Sequence, residues 1–224
     1  NPYLFNMANI RDQCSWVHME NTEAATQKAK ELTRMAVGKG LLAVGLQRKK
    51  IPVDHSAMVM GGGVSGMSAA LAIADMGFKA ILVEKSDRLG GNALELNATY
   101  NGRPIQNYVQ KMVDKVMNNE LIDVYLNTTV GKLDGFVGNF ETTLSTGNVL
   151  TPVKHGAVIV ATGAYETKPT EYLFGQNKNV ITQLDLDKKL KNKEKSLSKL
   201  KNVVMIQCVG SREEKRMYCS RVCC

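Results

Sequence analysis

The sequence predicts an α/β fold in which helices cover a parallel sheet, and three observations lead to this prediction. A short apolar run at residues 57–60 leads directly into glycines at positions 61, 63 and 66. A helical pattern of apolar residues follows, and a second apolar run then ends in Glu84. Further apolar runs alternate with an amphipathic helix as far as residue 160. Strand, glycine turn, helix and strand in this order open a Rossmann-like dinucleotide-binding domain.

Each glycine of the turn has a separate mechanical role. Gly61 permits the tight turn, Gly63 lets the backbone approach a pyrophosphate, and Gly66 allows the helix to pack closely on the strand. The helix is expected to begin around Val64, so that its unpaired amides point at the phosphates. The alternative is a glycine-rich turn that binds no ligand. The strand before it, the helix after it and the acidic residue that follows favour the dinucleotide site.

The second strand is predicted at residues 79–83, and Glu84 stands at its tip, about 20 residues beyond the glycines, where an acidic side chain binds ribose hydroxyls. The next residues run from Lys85 to Arg88, Gly90 and Gly91. This Arg-x-Gly-Gly sequence would bring a fork-shaped cation and two amides without side chains near the phosphate bridge. An ordinary polar loop is the alternative interpretation.

The rest of the domain is predicted as a helix at 105–117, a third strand at 122–126, a β-meander and a last strand at 157–160. The meander strands are expected to break at Asp134-Gly135 and at Thr146-Gly147. The last strand ends in Ala161, Thr162 and Gly163, at the carboxyl end where a cofactor crevice lies. Residues 55–165 therefore resemble the FAD half of two-dinucleotide-binding flavoproteins of the thioredoxin-reductase-like type. The stretch after Gly91 lacks the reactive cysteine pair that disulfide reductases of the glutathione reductase type carry there.

Three segments are expected along the chain. Residues 1–54 form an N-terminal segment with a linker and a helix that is capped by Asn21 or Thr22 and fades at Gly38 and Gly40. Residues 55–200 form the FAD-binding domain. Residues 201–224 begin a second nucleotide-binding-like domain with a buried strand at 202–207. The chain has no initiator Met and ends in two cysteines, so it is expected to be a piece of a longer polypeptide.

Charge and composition narrow the class of protein. The formal net charge is +8, and seven lysines lie between residues 187 and 202. These lysines form either a solvated surface or a docking surface for an acidic partner. Nucleic acid is disfavoured because no aromatic or base-reading motif accompanies them. No apolar run is long enough to span a bilayer and no signal peptide is visible. Cysteines grouped near one end indicate a reducing, cytoplasmic setting.

The cysteines are candidate metal ligands. Cys14 stands alone, and is either an inert buried thiol or a cluster ligand whose co-ligands precede this chain. Where a second glycine fingerprint would follow residue 207, the chain instead carries Cys208, Cys219, Cys223 and Cys224. Four thiolates suffice for a [4Fe–4S] cluster or for zinc, and their spacing leaves a cluster, zinc and unligated thiols all open. The nearby arginines would stabilise thiolates.

Four stretches are similar to the A subunit of heterodisulfide reductase. They are NPYLFNMANIRDQCSWVH, MGGGVSGMSAALAIADMG with VEKSDRLGG, HGAVIVATGAYETKP, and VVMIQCVGSR followed by YCSRVCC. With the motifs above, the resemblance implies that FAD is held by Gly61, Gly62, Gly63, Val64, Ser65, Gly66, Glu84, Lys85, Arg88, Gly90, Gly91, Val130, Ala161, Thr162 and Gly163. It also implies that Cys208, Cys219, Cys223 and Cys224 bind a [4Fe–4S] cluster, and that Cys14 belongs to a second, N-terminal cluster.

The same resemblance implies a flavoprotein oxidoreductase that carries out flavin-based electron bifurcation between ferredoxin and a disulfide branch. The implied partners are heterodisulfide reductase-like B and C subunits and a hydrogenase or other electron-donor subunit. No acid–base catalytic residue is expected, because the protein would tune the flavin by charge and hydrogen bonds. Two alternatives are a simple pyridine-nucleotide-dependent flavoprotein reductase, whose second glycine fingerprint is missing here, and a non-catalytic zinc-binding Rossmann scaffold.

Overall fold

The computed structural model describes residues 4–219 and 221, and the chain divides into two compact units, Asn1–Ile51 and Pro52–Cys224. The first unit holds a π-helical turn, Arg11–Ser15, and helix α1, Thr22–Leu41. The Asn21 side chain caps α1 by accepting a hydrogen bond from the Ala24 amide at 2.9 Å, as predicted. The helix runs through Gly38 and Gly40, because helical glycine costs only about 1 kcal/mol when its neighbours remain helical.

The second unit alternates strands and helices. In chain order its elements are β1 (Ser56–Met60), α2 (Val64–Asp75), β2 (Lys79–Val83), α3 (Gln106–Met117), β3 (Ile122–Tyr125), β4 (Thr128–Phe136), β5 (Asn139–Thr146), β6 (Val149–His155), β7 (Ala157–Val160) and α4 (Gln183–Lys191). Short 3-10 turns lie at Gly91–Leu94 and Leu197–Lys199. None of the helices in the described part of the chain combines the length and apolar character that crossing a membrane requires.

The described part of this unit contains two sheets. The first has the order β3-β2-β1-β7 with every neighbouring pair parallel, and the second is the antiparallel meander β4-β5-β6. The meander is the crossover that carries the chain from β3 back to β7 on the far side of β1. This topology confirms the predicted α/β Rossmann-like fold with a β-meander crossover.

The central sheet is covered on both faces, which explains why its strands are nearly continuous apolar runs. One face packs under α2 and α3, where Met67 and Val116 are fully buried together with Val59 and Leu82 of the sheet. The opposite face is covered by the meander, and Leu144 of β5 joins Met58, Ile81 and Val83 in a second apolar cluster.

The predicted meander break at Asp134-Gly135 is wrong. Gly135 lies inside β4 and pairs with Phe140, and the chain turns at Val137-Gly138 instead. Gly135 has a φ of +99°, and a Cβ there would lie 2.1 Å from the carbonyl oxygen of Asn139. The glycine is therefore required by the close approach of the partner strand and not by a turn. The second predicted break, at Thr146-Gly147, is confirmed.

The predicted buried strand at 202–207 is also wrong. The structure gives this stretch no regular secondary structure, and its apolar side chains are exposed, with Val204 at 83% and Met205 at 61%. An apolar run becomes a buried strand only when a neighbouring strand pairs with its backbone and a layer covers its face. Within the described residues, this segment has neither.

A buried histidine joins the meander to the central sheet. His155 is fully buried at the end of β6, with Nδ1 3.0 Å from the Ala157 carbonyl oxygen and Nε2 2.8 Å from the Thr142 hydroxyl. A carbonyl can only accept, so Nδ1 carries the proton and Nε2 accepts from Thr142. Burial lowers the pKa of His155 below its ordinary value, although the bond to Ala157 opposes this effect. The neutral imidazole is therefore the form that this fold stabilises.

We expect the free energy of unfolding to fall as the pH drops below about 6.5, the ordinary pKa of histidine. The unfolded chain binds this proton at a higher pH than the folded chain does, so stability is lost on acidification, by at most about 1.4 kcal/mol per pH unit. Urea titrations between pH 7.5 and 5.5 would measure the slope. The matched variant His155→Asn keeps a donor for Ala157 but cannot titrate, and should lose the slope. A flat wild-type profile contradicts this prediction.

Candidate functional site

The glycine turn lies at the carboxyl edge of the parallel sheet, between the ends of two strands. The amide of Gly61 donates to the Val83 carbonyl of β2 at 2.8 Å, and the amide of Ala161 after β7 donates to the Met60 carbonyl at 2.8 Å. The turn that follows β1 is thus flanked by the strand ends of β2 and β7. In open α/β sheets, ligands bind in the crevice beyond the carboxyl ends of the strands.

Two glycines of the turn are required by the protein itself. Gly61 has a φ of +109°, and a Cβ there would lie 2.3 Å from the carbonyl oxygen of Ala161. At Gly66 a Cβ would lie 1.8 Å from the carbonyl oxygen of Gly61, so α2 packs directly against the turn that precedes it. Gly62 is packed between Leu89 and the stem of Glu84. These contacts hold the turn rigidly in one geometry.

Gly63 differs from its neighbours, because no contact with the described protein requires a glycine there. Its φ is −74° and its ψ is −177°, which any residue can adopt, and a Cβ would meet no described atom within 4 Å. It is also the N-cap of α2 and has no side chain to cap the helix, so the amides of Val64, Ser65 and Gly66 lack an intrahelical partner. This open position beside a helix N-terminus fits a phosphate-bearing group.

Glu84 is buried behind the turn, with 7% of its surface exposed. Its Oε2 accepts from the Gly62 amide at 2.6 Å, and its Oε1 accepts from the amide and hydroxyl of Ser86 at 2.8 and 2.5 Å. Burial raises the pKa of Glu84, but these hydrogen bonds and the charge of Lys85 outweigh it, so the net pKa is lower than usual. Oε1 thus accepts two hydrogen bonds, whereas Oε2 accepts one and retains a lone pair that could accept from a ribose hydroxyl.

The Gly-Gly loop closes against the glycine turn. The Gly90 amide donates to the Gly62 carbonyl at 2.8 Å, and a Cβ at Gly91 would lie 3.1 Å from the Cα of Gly63. Arg88 of the same loop is exposed and lines a groove of about 610 Å³ between this loop and α3. Its approach to a phosphate stays a prediction.

The residues after β7 form the other wall of the crevice. Ala161 is half-buried, Thr162 and Gly163 are exposed, and Gly163 has a φ of +66°. The ammonium of Lys85 lies over the Tyr165 ring, 4.3 Å from its centroid. The structure therefore brings the predicted residues from three stretches of chain to one edge of the sheet.

Val130 lies on the meander side of the sheet. It is half-buried in β4 and packs against the cluster that contains Ile81 and Val83. The register of β4 against β5 shifts between Val130 and Leu133, which interrupts the regular backbone pairing at this point. A contact between Val130 and FAD stays a prediction.

Two lysines of the lysine-rich segment bind the stretch after the Gly-Gly loop, and a third pairs within the segment itself. Lys191 donates to the Leu94 carbonyl, Lys188 lies 3.8 Å from the Glu95 carboxylate, and Lys189 pairs with Glu194 at 2.9 Å. In addition, Asp187 accepts from the Asn97 amide at 3.1 Å. Helix α4 thus holds the segment that follows the Gly-Gly loop, and the docking of an acidic partner by the lysines stays a prediction.

The cysteines are not brought together within the described residues. Cys14 is buried, and its Sγ lies 2.7 Å from the carbonyl oxygen of Ala25 in α1. Cys208 is exposed and Cys219 half-buried, and neither forms a disulfide. Cys223 and Cys224 lie outside the described residues. Among residues 4–219 and 221, no group of three or more His, Cys, Asp or Glu side chains is arranged to hold a metal ion, so the predicted cluster ligands stay predictions.

The backbone around Cys208 has an unusual conformation. Cys208 has a φ of +60° and Arg212 a φ of +59°, the left-handed region that non-glycine residues seldom adopt. The Cys208 carbonyl accepts from the Ser211 amide at 2.9 Å, and Glu213 and Arg216 exchange backbone hydrogen bonds. The segment is therefore a tight hydrogen-bonded loop, not the glycine turn of a second nucleotide-binding domain.

Sequence reasoning missed Ser86, Asn92 and Tyr165. Ser86 was detectable, because a hydroxyl two residues beyond a strand-end carboxylate can fold back onto it. Asn92 donates to the Ala164 carbonyl at 3.1 Å across the crevice. Neither Asn92 nor Tyr165 carries a local signal, since each contacts a residue more than 70 positions away.

The chain is similar over its whole length to two heterodisulfide reductase proteins. It is 34% identical to the A subunit of the H(2):CoB-CoM heterodisulfide,ferredoxin reductase of Methanothermobacter marburgensis. It is also 34% identical to the second A-type iron-sulfur subunit of the CoB--CoM heterodisulfide reductase of Methanopyrus kandleri. Each alignment covers 100% of this chain and 48% of the relative, so the chain spans about half the length of these proteins. These relatives confirm the resemblance to the heterodisulfide reductase A subunit.

Among solved structures, L-proline dehydrogenase from P. horikoshii aligns with a TM-score of 0.44 and 23% identity, over 53% of this chain and 25% of that one. The thioredoxin reductase of Streptococcus pyogenes aligns with a TM-score of 0.36 and 20% identity, over 50% of this chain and 32% of that one.

The family model for pyridine nucleotide-disulphide oxidoreductases matches the chain in two overlapping ranges, residues 18–165 and 55–206. The second range contains every strand and every helix of the unit built on the parallel sheet. The chain belongs to the pyridine nucleotide-disulphide oxidoreductase family.

Proposed function

We propose that this chain binds FAD and serves as the flavin-carrying part of an electron-transfer oxidoreductase. The observation that carries the proposal is Gly63, at the carboxyl edge of the sheet. A Cβ at this position would meet no described protein atom within 4 Å, and the three helix amides that follow lack intrahelical partners. A dinucleotide diphosphate is the group that such a turn accepts in folds of this kind. Bound FAD would supply the exchange of electron pairs and single electrons.

The protein's own residues would bind and orient the cofactor. The amides that begin α2 would hold the diphosphate, and Glu84 would accept from a ribose hydroxyl while keeping its bond to Gly62. The Gly-Gly loop and the end of β7 would line the two sides. The proposed contacts are Gly61, Gly62, Gly63, Val64, Ser65, Gly66, Glu84, Lys85, Arg88, Gly90, Gly91, Val130, Ala161, Thr162 and Gly163.

We further propose that Cys208, Cys219, Cys223 and Cys224 bind a [4Fe–4S] cluster, and that Cys14 belongs to a second cluster. The four cysteines are suitable ligands, because thiolates are the usual ligands of such clusters. The arginines at positions 212, 216 and 221 would offset the negative charge of the thiolates. The relative from Methanopyrus kandleri is named an iron-sulfur subunit, which supports the same assignment.

For the intact protein we propose the reaction of a heterodisulfide reductase-like A subunit in the cytoplasm. Electrons would be divided by flavin-based bifurcation between ferredoxin and a disulfide branch. The partners would be B and C subunits together with a hydrogenase or other electron-donor subunit. Support comes from the names of relatives, which include ferredoxin and the CoB-CoM heterodisulfide. We also propose residues 1–54, 55–200 and 201–224 as the N-terminal segment, the FAD-binding domain and the start of a second domain.

The test is an anaerobic absorption spectrum of the purified chain, with flavin and metals quantified in the same sample. We expect about one FAD per chain together with iron. Zinc without flavin would establish the scaffold alternative, and a folded chain without flavin would overturn the proposed function.

The variant Cys219→Ser separates the two cofactors. We expect it to lose most of its iron but to retain FAD, because removing one of four thiolate ligands weakens a cluster and leaves the glycine turn unchanged. Metal analysis and the flavin absorption band would be measured on the same preparation. Ser211→Ala is the matched control, since it lies in the same loop and is not a proposed ligand. Equal iron in Cys219→Ser and wild type would contradict the assignment of this cysteine.

A further inference from the structure

We propose that Lys85 and Tyr165 form a clasp across the crevice that closes over the adenosine diphosphate half of the bound cofactor and slows its release. This inference rests on the proposed function, because it concerns the same crevice. It adds Tyr165, which no sequence motif indicates, to the residues that decide how long the cofactor stays bound.

The contact joins the two walls of the crevice. Lys85 follows Glu84 directly at the end of β2, and Tyr165 stands two residues beyond Gly163, after β7. Strand β1 lies between β2 and β7 in the sheet. The Lys85 ammonium lies 4.3 Å from the centroid of the Tyr165 ring. The pair therefore spans the position at which β1 ends in its glycine turn.

A second contact reinforces the first from the Gly-Gly loop. The side-chain amide of Asn92 donates to the Ala164 carbonyl at 3.1 Å. Beyond the clasp, the Glu166 carboxylate accepts from the Leu184 amide at 3.0 Å, which ties the segment to the start of α4. Residues 164–166 are therefore contacted by Lys85, by the Gly-Gly loop and by the start of α4.

The packing of the core does not impose this contact. The Tyr165 side chain is 82% exposed, and Lys85 is exposed as well. Gly163 has a φ of +66°, and a Cβ there would meet no described atom within 4 Å, so the backbone just before the contact is not packed against its surroundings. An exposed cation–π contact is weak enough to break and reform readily. These properties suit a clasp that opens for a ligand.

In the proposed binding mode, a ligand that reaches from Glu84 past Gly63 to the end of β7 would lie beneath this contact. Opening the clasp would then be part of cofactor release, whereas the contacts beneath it would set most of the affinity. Loss of the clasp should mainly raise the dissociation rate, by about two- to fivefold, the change expected from one exposed cation–π contact.

The experiment measures release of FAD from the full 224-residue chain, followed by the recovery of flavin fluorescence after dilution. The variants are Tyr165→Leu, Lys85→Met and the double variant. Tyr165→Phe retains the ring, and Tyr100→Leu is a matched control at a fully exposed tyrosine. We expect faster release from each single variant, a double variant no faster than the quicker single one, and wild-type rates from both controls.

Two results would overturn the proposal that Lys85 and Tyr165 form a clasp. Release at the wild-type rate from Tyr165→Leu would show that the ring has no part in retention. Multiplicative effects of the two substitutions would show that Lys85 acts on the cofactor without Tyr165. A folded wild-type chain that binds no FAD would instead refute the proposed function itself, and the two failures are thereby distinguished.

Discussion

Gly63→Ser should strongly weaken FAD binding without destabilising the protein, whereas Gly66→Ala should destabilise the protein itself. The backbone at Gly63 has the extended conformation that an N-cap serine prefers, and the side chain would enter space that no described atom occupies. Its hydroxyl would bond to the first amides of α2, the same amides that a diphosphate needs. Losing two hydrogen bonds to a charged group would weaken the binding of FAD by at least about 100-fold.

The contrast with Gly66 arises from contacts inside the protein. A Cβ there would lie 1.8 Å from the Gly61 carbonyl oxygen, and both atoms belong to backbone that is held by the sheet and by α2. Overpacking a rigid site costs about 1–3 kcal/mol of stability. Because the clash at Gly66 is so close, its cost should lie at the upper end of this range or above it. We therefore expect Gly66→Ala to lower the free energy of unfolding by about 3 kcal/mol or more.

Fluorescence titration with FAD and urea unfolding of the cofactor-free chain would measure both effects. Wild-type FAD affinity in Gly63→Ser would contradict the assignment of this position to the diphosphate. Wild-type stability in Gly66→Ala would contradict the close packing of the helix on the turn.

Glu84→Gln should lower the free energy of unfolding by about 1.5–3 kcal/mol, the contribution of hydrogen bonds to a charged group. The wild-type carboxylate accepts from the Gly62 amide and from both donors of Ser86. A glutamine presents only one acceptor atom, so its amide nitrogen would face one of these donors. The same change should weaken the binding of FAD, because the glycine turn loses a hydrogen bond that holds it and the ribose loses a hydrogen-bond acceptor.

The dependence on pH gives this prediction a second measurement. The folded pKa of Glu84 is lower than its ordinary value of 4.5, so the folded chain releases this proton more readily than the unfolded chain. The stabilisation is therefore present above about pH 4.5 and is lost as the pH falls through the folded pKa. The pH range in which Glu84 affects stability lies below the range in which His155 affects it.

Stability measured between about pH 6 and 3.5 should fall less steeply in Glu84→Gln than in wild type. Glu120→Gln, at an exposed position, is the matched control and should follow the wild-type curve. Parallel curves for Glu84→Gln and wild type would show that the carboxylate does not support the turn.

Most of the strands, the helices and their order could be predicted from the sequence, because these features depend on local chemistry. The glycine turn, the stripe of Met67 and Ala70, and the acid at the end of β2 each show themselves within a few residues. A helix that buries one face and a strand that buries two each have a characteristic spacing of apolar residues. This spacing can be recognised without knowing which distant residues the element contacts. The fold class and the candidate crevice follow from those patterns.

The tertiary structure alone decided which contacts those elements make. The turn near Gly135 was mislocated because a glycine demanded by a facing strand looks the same in sequence as one demanded by a turn. Residues 202–207 have the composition of a strand, but strand formation needs a pairing neighbour. Lys85 meets Tyr165, and α4 meets the segment after the Gly-Gly loop, across separations that leave no periodic signal. The sequence by itself determined the elements and the turn that join at the carboxyl edge, whereas the residues that close over that edge were decided by packing between distant parts of the chain.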